Sequence, residues 1–351
     1  MASKTGSGNF FEDFRVGRTF VHATPRTLTE GDAALGTALY GSRLAVHSSS
    51  DFAHRIGLPD APIDDVFVFN VVFGKTVPDI SLNAVANLGY AEGVFGAPVH
   101  PGDTLAATST VIGLKENSNR KTGIVYVRTS GTNQLGEPVL DYVRWVMVRK
   151  KDEAAPAPAE TVPALKGAVA PEDVRVPDGL DLSGYDFALA GSEARWDDYD
   201  KGERIDHVDG MTVEEAEHAL ATRLYQNTAR VHFNHHAEKD GRFGKRIVYG
   251  GHVIALARAI SFNGLENAFR VAAINGGRHV NPTFAGDTIY AWSEVLDKAP
   301  CPGRTDVGLL RLRTVATKDR PCADFPGGDG TGAADPAVVL DFDYWALLPR
   351  R

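Results

Sequence analysis

Between Tyr225 and Gly251 the chain reads YQNTARVHFNHHAEKDGRFGKRIVYGG, gathering Asn227, Arg230, His232, His235, His236 and Tyr249 ahead of a Gly-Gly pair. An imidazole exchanges a proton near neutral pH. An amide binds polar groups without titrating, and a guanidinium grips a carboxylate through two parallel hydrogen bonds. Such groups, set this densely between apolar segments, suggest a site more than a solvated face. A metal is the competing reading, because His232, His235 and His236 stand at i, i+3 and i+4 and would share one helix face. No carboxylate or cysteine completes a ligand set, so no metal is expected and these side chains are read as solvated or substrate-facing.

The elements that must hold this stretch occur twice. FEDFRVG (Phe11 to Gly17) returns as WDDYDKG (Trp196 to Gly202), an offset of 185 from position 11 to position 196. Leu39-Tyr40 and Val46-His47 match Leu224-Tyr225 and Val231-His232 at the same offset. Gly102-Asp103-Thr104 matches Gly286-Asp287-Thr288, and Gly123, Arg128 and Thr129 match Gly308, Arg313 and Thr314. LDYVRW (Leu140 to Trp145) matches LDFDYW (Leu340 to Trp345), the spacing widening where the second copy gains FPGGDGTGAADP. That insertion lacks the spacing of a phosphate loop and is read as a flexible hairpin tip. The chain is therefore a duplication: a first unit over 1–150, a linker over 151–194 and a second unit over 195–351. The linker's prolines, alanines and alternating charges predict an extended spacer rather than a packed element.

Each unit opens with a short strand and a helix, whose start is predicted from a capping-box pattern at Thr27/Glu30 and Thr212/Glu215. An apolar helical run comes next, Val66 to Gly74 in the first copy and His252 to Phe262 in the second. After it come only strand-like segments in which β-branched and aromatic residues alternate with polar ones. Helices succeeded by antiparallel strands make an α+β unit whose sheet covers a helix.

Bulk properties remove several function classes. A net charge of −8 argues against nucleic-acid or anionic-membrane partners. Nothing approaches the roughly 18 apolar residues of a membrane span. The start lacks an apolar signal core, and Cys301 and Cys322 lack metal or redox spacing, so a reducing cytoplasm is expected.

The doubled FEDF-type box, motif histidine and late Gly-Asp-Thr resemble the MaoC-like, or (R)-specific, enoyl-CoA hydratases. The resemblance implies a tandem hot-dog fold, each unit an antiparallel sheet wrapped around a central helix. More narrowly, Phe73 to Gly96 and Leu224 to Asn234 resemble the mesaconyl-CoA hydratases. That likeness implies reversible addition of water to mesaconyl-CoA, giving β-methylmalyl-CoA, with an acyl-CoA partner, no cofactor and a possible homodimer.

In that family an aspartate five residues before the motif histidine shares a water with it. Here His232 holds the histidine position, but Asn227 stands where the aspartate would be. Gly250 falls at the glycine that opens the central helix, making its N–H the expected oxyanion donor, with Tyr249 before it. In the first copy His47 survives, while Ser42 replaces the aspartate and Asp64-Asp65 replace the donor turn. The first unit is thus expected to be degenerate and the second catalytic. The neutral Asn227 can hold a water through Oδ1 or simply cap a turn; His232 then becomes the base. Arg230 and Arg278 are alternative partners for a substrate carboxylate, with Tyr249 and His235 as further substrate contacts. A broad (R)-specific enoyl-CoA hydratase, a thioesterase and a non-catalytic acyl-CoA binder remain as competing functions.

Overall fold

The computed structural model describes residues 4–327 and 335–351. The first unit runs through β1 (Thr19–Val21), β2 (Arg26–Thr27), α1 (Glu30–Tyr40), α2 (Ala45–Ser48), α3 (Ser50–Arg55) and α4 (Asp65–Thr76). It ends in β3 (Ala84–Phe95), β4 (Thr104–Glu116), β5 (Thr122–Thr132) and β6 (Pro138–Arg149). After α5 (Phe187–Ala190), in the linker, the second unit repeats the order: β7 (Arg204–Thr212), α6 (Glu215–Leu224), α7 (His235–Glu238) and α8 (Gly250–Ile260). Its remaining strands are β8 (Arg270–His279), β9 (Thr288–Pro300), β10 (Val307–Lys318) and β11 (Val338–Pro349).

Every residue of α4 is buried, and so is every residue of α8 after Gly250. A helix apolar on all sides must be enclosed, and a continuous antiparallel sheet does this with the order β1-β4-β5-β6-β3-β8-β11-β10-β9-β7. The order is symmetric about the β3–β8 junction, where Tyr90 pairs with Gly277 and Val94 with Ala273. Alternation of buried and half-buried residues along most of β4 and β5 keeps one face on the helices.

The repeated motifs turn out to be structural pairs. The ring of Phe11 occupies the space a Cβ on Gly123 would need, and the ring of Trp196 does the same at Gly308. His22 and His207, also 185 apart, each bond a serine hydroxyl through Nε2 at 2.8 Å, Ser109 and Ser293 respectively.

Three expectations need correction. The capping box of α1 is Thr29 with Asp32, whereas Thr27 sits in β2 and bonds Thr104. In the second unit α6 has no side-chain cap, because Thr212 ends β7 and bonds Thr288. The linker is not a bare spacer: Val169, Val174, Leu180, Leu182 and Tyr185 are buried against Phe269, Leu309, Trp345 and Leu347. Its apolar residues are too few to signal a helix or strand, yet these five pack on the sheet, and Trp345 Nε1 donates to the Val169 carbonyl at 3.0 Å. Most of the predicted hairpin tip, 328–334, lies outside the described residues.

The two units also approach closely where α4 passes the end of α6. A Cβ on Gly74 would collide with the Tyr225 carbonyl, a backbone atom that cannot swing aside. Gly74→Ala should therefore lower unfolding free energy by about 1–3 kcal/mol, the usual cost of overpacking. A denaturant midpoint equal to the wild type would show that the units are not held this tightly.

Candidate active site

The site is built where α6 stops. Asn227 Oδ1 accepts the Ala229 N–H at 2.9 Å, closing a turn that leads into the one-turn helix Arg230–His232. His232 Nδ1 is 3.0 Å from the Ile247 carbonyl oxygen. A carbonyl can only accept, so Nδ1 carries the proton and Nε2 offers its lone pair. Enclosure of the ring pulls the imidazole down to about 4, leaving it neutral at pH 7. The first unit has the same arrangement, His47 Nδ1 donating to the Pro62 carbonyl at 2.9 Å, again fifteen residues downstream (47 to 62, 232 to 247).

Tyr249 is the N-cap of α8 and supplies no side-chain cap. The N–H groups of Gly250 and Gly251, in the first turn, have no intrahelical partner and carry the positive end of the helix dipole. The Tyr249 ring lies 5.5 Å from that of His232, and its buried hydroxyl has no partner among the described residues. The His279 imidazole covers Gly250 so closely that a Cβ there would enter the ring. His279 Nε2 shares a 3.1 Å hydrogen bond with the Tyr90 hydroxyl, so a β3 residue of the first unit completes this corner. Desolvation, then the neighbouring His232, pulls His279 down to about 4 as well.

The helix entry of the first unit differs. Asp64 Oδ1 accepts the N–H groups of Val66 and Phe67 at 2.9 and 3.2 Å, filling the start of α4 with its own carboxylate. The other oxygen lies 4.0 Å from His47 Nε2. Ser42, His47, Asp64, Phe67 and Arg258 line an open cleft at this place.

Of the sequence candidates, Asn227, His232, Tyr249 and Gly250 lie on the short path from α6 to α8. Asn227 takes the turn-capping alternative: Oδ1 is engaged by the turn, and the buried Nδ2 is the atom without a partner. It presents a donor, not an acceptor. Arg230 is exposed and makes no ion pair among the described residues. Arg278 is not at the site. It pairs with Asp341 at 3.3 Å, its side chain 62% exposed, while the next residue, His279, faces inward. Successive strand side chains point to opposite faces, and that period could have chosen His279 over Arg278. His235 and His236 are exposed on α7 and share no helix face with His232, which ends a separate turn. Tyr90 carried no signal, because it belongs to the other unit.

A family model described as mesaconyl-CoA hydratase matches residues 2–331. The chain belongs to that family. It is 66% identical to the β-methylmalyl-CoA dehydratase of Chloroflexus aurantiacus, covering 100% of both chains. It is 61% identical to the mesaconyl-CoA hydratase of Cereibacter sphaeroides, covering 99% of this chain and 100% of that one. The crystal structure of a MaoC domain dehydratase from C. aurantiacus superposes with a TM-score of 0.97 at 66% identity over 100% of both chains. A Mycobacterium tuberculosis protein described as having a double hotdog fold superposes at 0.79, with 26% identity over 98% of this chain and 99% of that one. This mesaconyl-CoA hydratase family member is thus a tandem hot dog of α+β class. Among the described residues no helix is long and apolar enough to cross a membrane, and no group of three metal-ligating side chains occurs.

The enclosed histidine rings make acid sensitivity predictable. Desolvation pushes His207, His232 and His279 from 6.5 to about 4 and His252 to about 3. The unfolded chain therefore binds more protons than the folded one between roughly pH 6.5 and 4. Stability from these groups is complete above pH 6.5 and falls as pH drops through that window. Denaturant midpoints at pH 7.5, 6 and 5 should decline in that order; an unchanged midpoint would contradict the enclosed, neutral assignment.

Proposed function

We propose that this protein reversibly hydrates mesaconyl-CoA to β-methylmalyl-CoA, using the second unit's site. The observation that carries the reading is the pairing of a neutral His232, its Nε2 lone pair free, with an uncapped helix start at Gly250. The thioester oxygen is placed at the Gly250 N–H, where the helix dipole stabilises negative charge as the enolate develops. Water adds its oxygen to Cβ while His232 Nε2 takes its proton. The resulting imidazolium then delivers that proton to Cα, so atoms and charge balance and the addition is syn. Dehydration runs the same steps backward.

Asn227 Nδ2 supports this chemistry by donating to the attacking oxygen. An aspartate would place a second anion beside a substrate that already carries a free carboxylate. The substrate carboxylate itself favours the imidazolium that forms at His232, offsetting the desolvation that holds its resting value near 4. In the first unit Asp64 caps the Val66 and Phe67 N–H groups and brings its own carboxylate to the equivalent helix start, where it would repel an enolate, which supports assigning that half to a structural role.

Loss of enoyl-thioester absorbance with mesaconyl-CoA tests the activity; release of free CoA thiol instead would indicate a thioesterase. His232→Asn should lower kcat by about 10²–10⁴-fold, the usual contribution of a positioned acid–base group. His47→Asn should leave kcat close to wild type, and Asn227→Asp should reduce turnover. Equal losses at the two histidines would refute the assignment to the second unit, and faster turnover by Asn227→Asp would refute the repulsion argument.

A further inference from the structure

LDYVRW and LDFDYW align, yet they differ at two inward-facing positions: Tyr142 is Phe342 in the second copy, and Arg144 is Tyr344. At the latter position both side chains are buried, Arg144 completely. A buried guanidinium normally has a carboxylate partner, because taking its charge out of water costs several kcal/mol. Arg144 has none among the described residues. One nitrogen donates to the Thr76 and Ser81 hydroxyls at 2.7 and 3.3 Å, and its face covers the Phe73 ring at 4.2 Å. Nε and the other terminal nitrogen have no partner. The charge is held by two hydroxyls and an aromatic face.

Its surroundings lead back to the site. Phe73, under the guanidinium, lies 5.5 Å from the Tyr249 ring, and Tyr249 precedes Gly250. Tyr90 stands opposite Arg144 in the β3–β6 pairing and bonds His279, which covers Gly250. Arg144 is therefore linked to Tyr249 through Phe73, and to the cover of Gly250 through Tyr90 and His279. The donors that remain unpaired there include the Arg144 fork and the Tyr249 hydroxyl. Arg278, on the outer sheet face, cannot serve the pocket, and Arg230 is exposed to water.

We propose that Arg144, assisted by the Tyr249 hydroxyl, is the specificity-determining residue that receives the substrate's free carboxylate. The proposal rests on the hydratase reading above. A thioester held at Gly250 places the carboxylate only one bond beyond the carbon that water attacks. The Arg144 guanidinium gains its missing anion when the acyl group ends in a carboxylate and remains unpaired when it ends in a methyl group. Discrimination of this kind is large, because the wrong substrate leaves a buried charge unpaired. It also explains why the first unit keeps Arg144 while its own helix start is blocked: that half supplies the far wall of the second unit's pocket.

The test compares mesaconyl-CoA with 2-methylbut-2-enoyl-CoA, in which a methyl group replaces the carboxylate, in wild type and Arg144→Met. The variant should lose about 10²–10³-fold in kcat/KM on mesaconyl-CoA, as expected for one partner of a buried charge pair, with little or no loss on the methyl analogue. Its thermal stability should equal or exceed wild type, since an unpaired buried charge is removed. Equal losses on both substrates would overturn the proposal. A second measurement needs no variant: succinyl-CoA should compete at least about tenfold more tightly than butyryl-CoA, the gain of roughly one charge-assisted contact. No preference for succinyl-CoA would overturn the proposal even if Arg144→Met failed to fold. Failure of wild type to hydrate mesaconyl-CoA would sink the activity reading instead, leaving the succinyl-CoA preference to decide on Arg144.

Discussion

Everything in this molecule depends on two largely apolar helices, α4 and α8, that are buried on every side and kept from water by each other and a shared sheet. Their contact lies near the pseudo-twofold axis of the duplication, and the polar groups there are paired across it. Tyr40 and Tyr225, 185 positions apart, share a 2.6 Å hydrogen bond between their hydroxyls. His252 Nδ1 reaches the Tyr40 hydroxyl at 3.2 Å, and Asn70 Nδ2 donates to the Gly251 carbonyl at 3.1 Å. A buried polar group without a partner costs more than a hydrogen bond returns, so this seam sets the register of one unit against the other. It also fixes α8 with its first turn facing His232.

Symmetry then breaks at the helix starts. Both units hold their motif histidine through the same carbonyl contact, which makes the histidine's tautomer a property of the fold. The residues that open the buried helix decide the chemistry. Asp64 closes one helix start with its own carboxylate, whereas Tyr249 and two glycines leave the other open. In the function proposed here, duplication lets one half give up catalysis and become the wall against which the other half works. Tyr90 beside His279 and Phe73 beside Tyr249 are first-unit residues in that role.

Much of this is legible in the chain. The repeat identifies the tandem α+β architecture, because each matched motif marks a contact that the fold needs twice, such as the aromatic ring over Gly123 and over Gly308. Helix starts are harder to place, since Thr27 and Thr29 are equally good caps until the strand pairing of Thr27 with Thr104 is known. The site is half legible. His232, Tyr249 and Gly250 lie within eighteen residues of one another (232 to 250) and are singled out by the family resemblance together with that spacing. Tyr90 and Arg144 come from the other unit, and no local pattern brings them near. Arg278 draws attention through its charge, although strand alternation already assigns the inner face to its neighbour.

The central claim is that substrate binds at the open helix start of the second unit, with the first unit as its wall. A crystal structure with succinyl-CoA, which has the right length and charge but no double bond to hydrate, tests it most directly. The account predicts the thioester oxygen within hydrogen-bonding distance of the Gly250 N–H, beside His232 Nε2. A thioester seated instead in the cleft between His47 and Asp64 would contradict it.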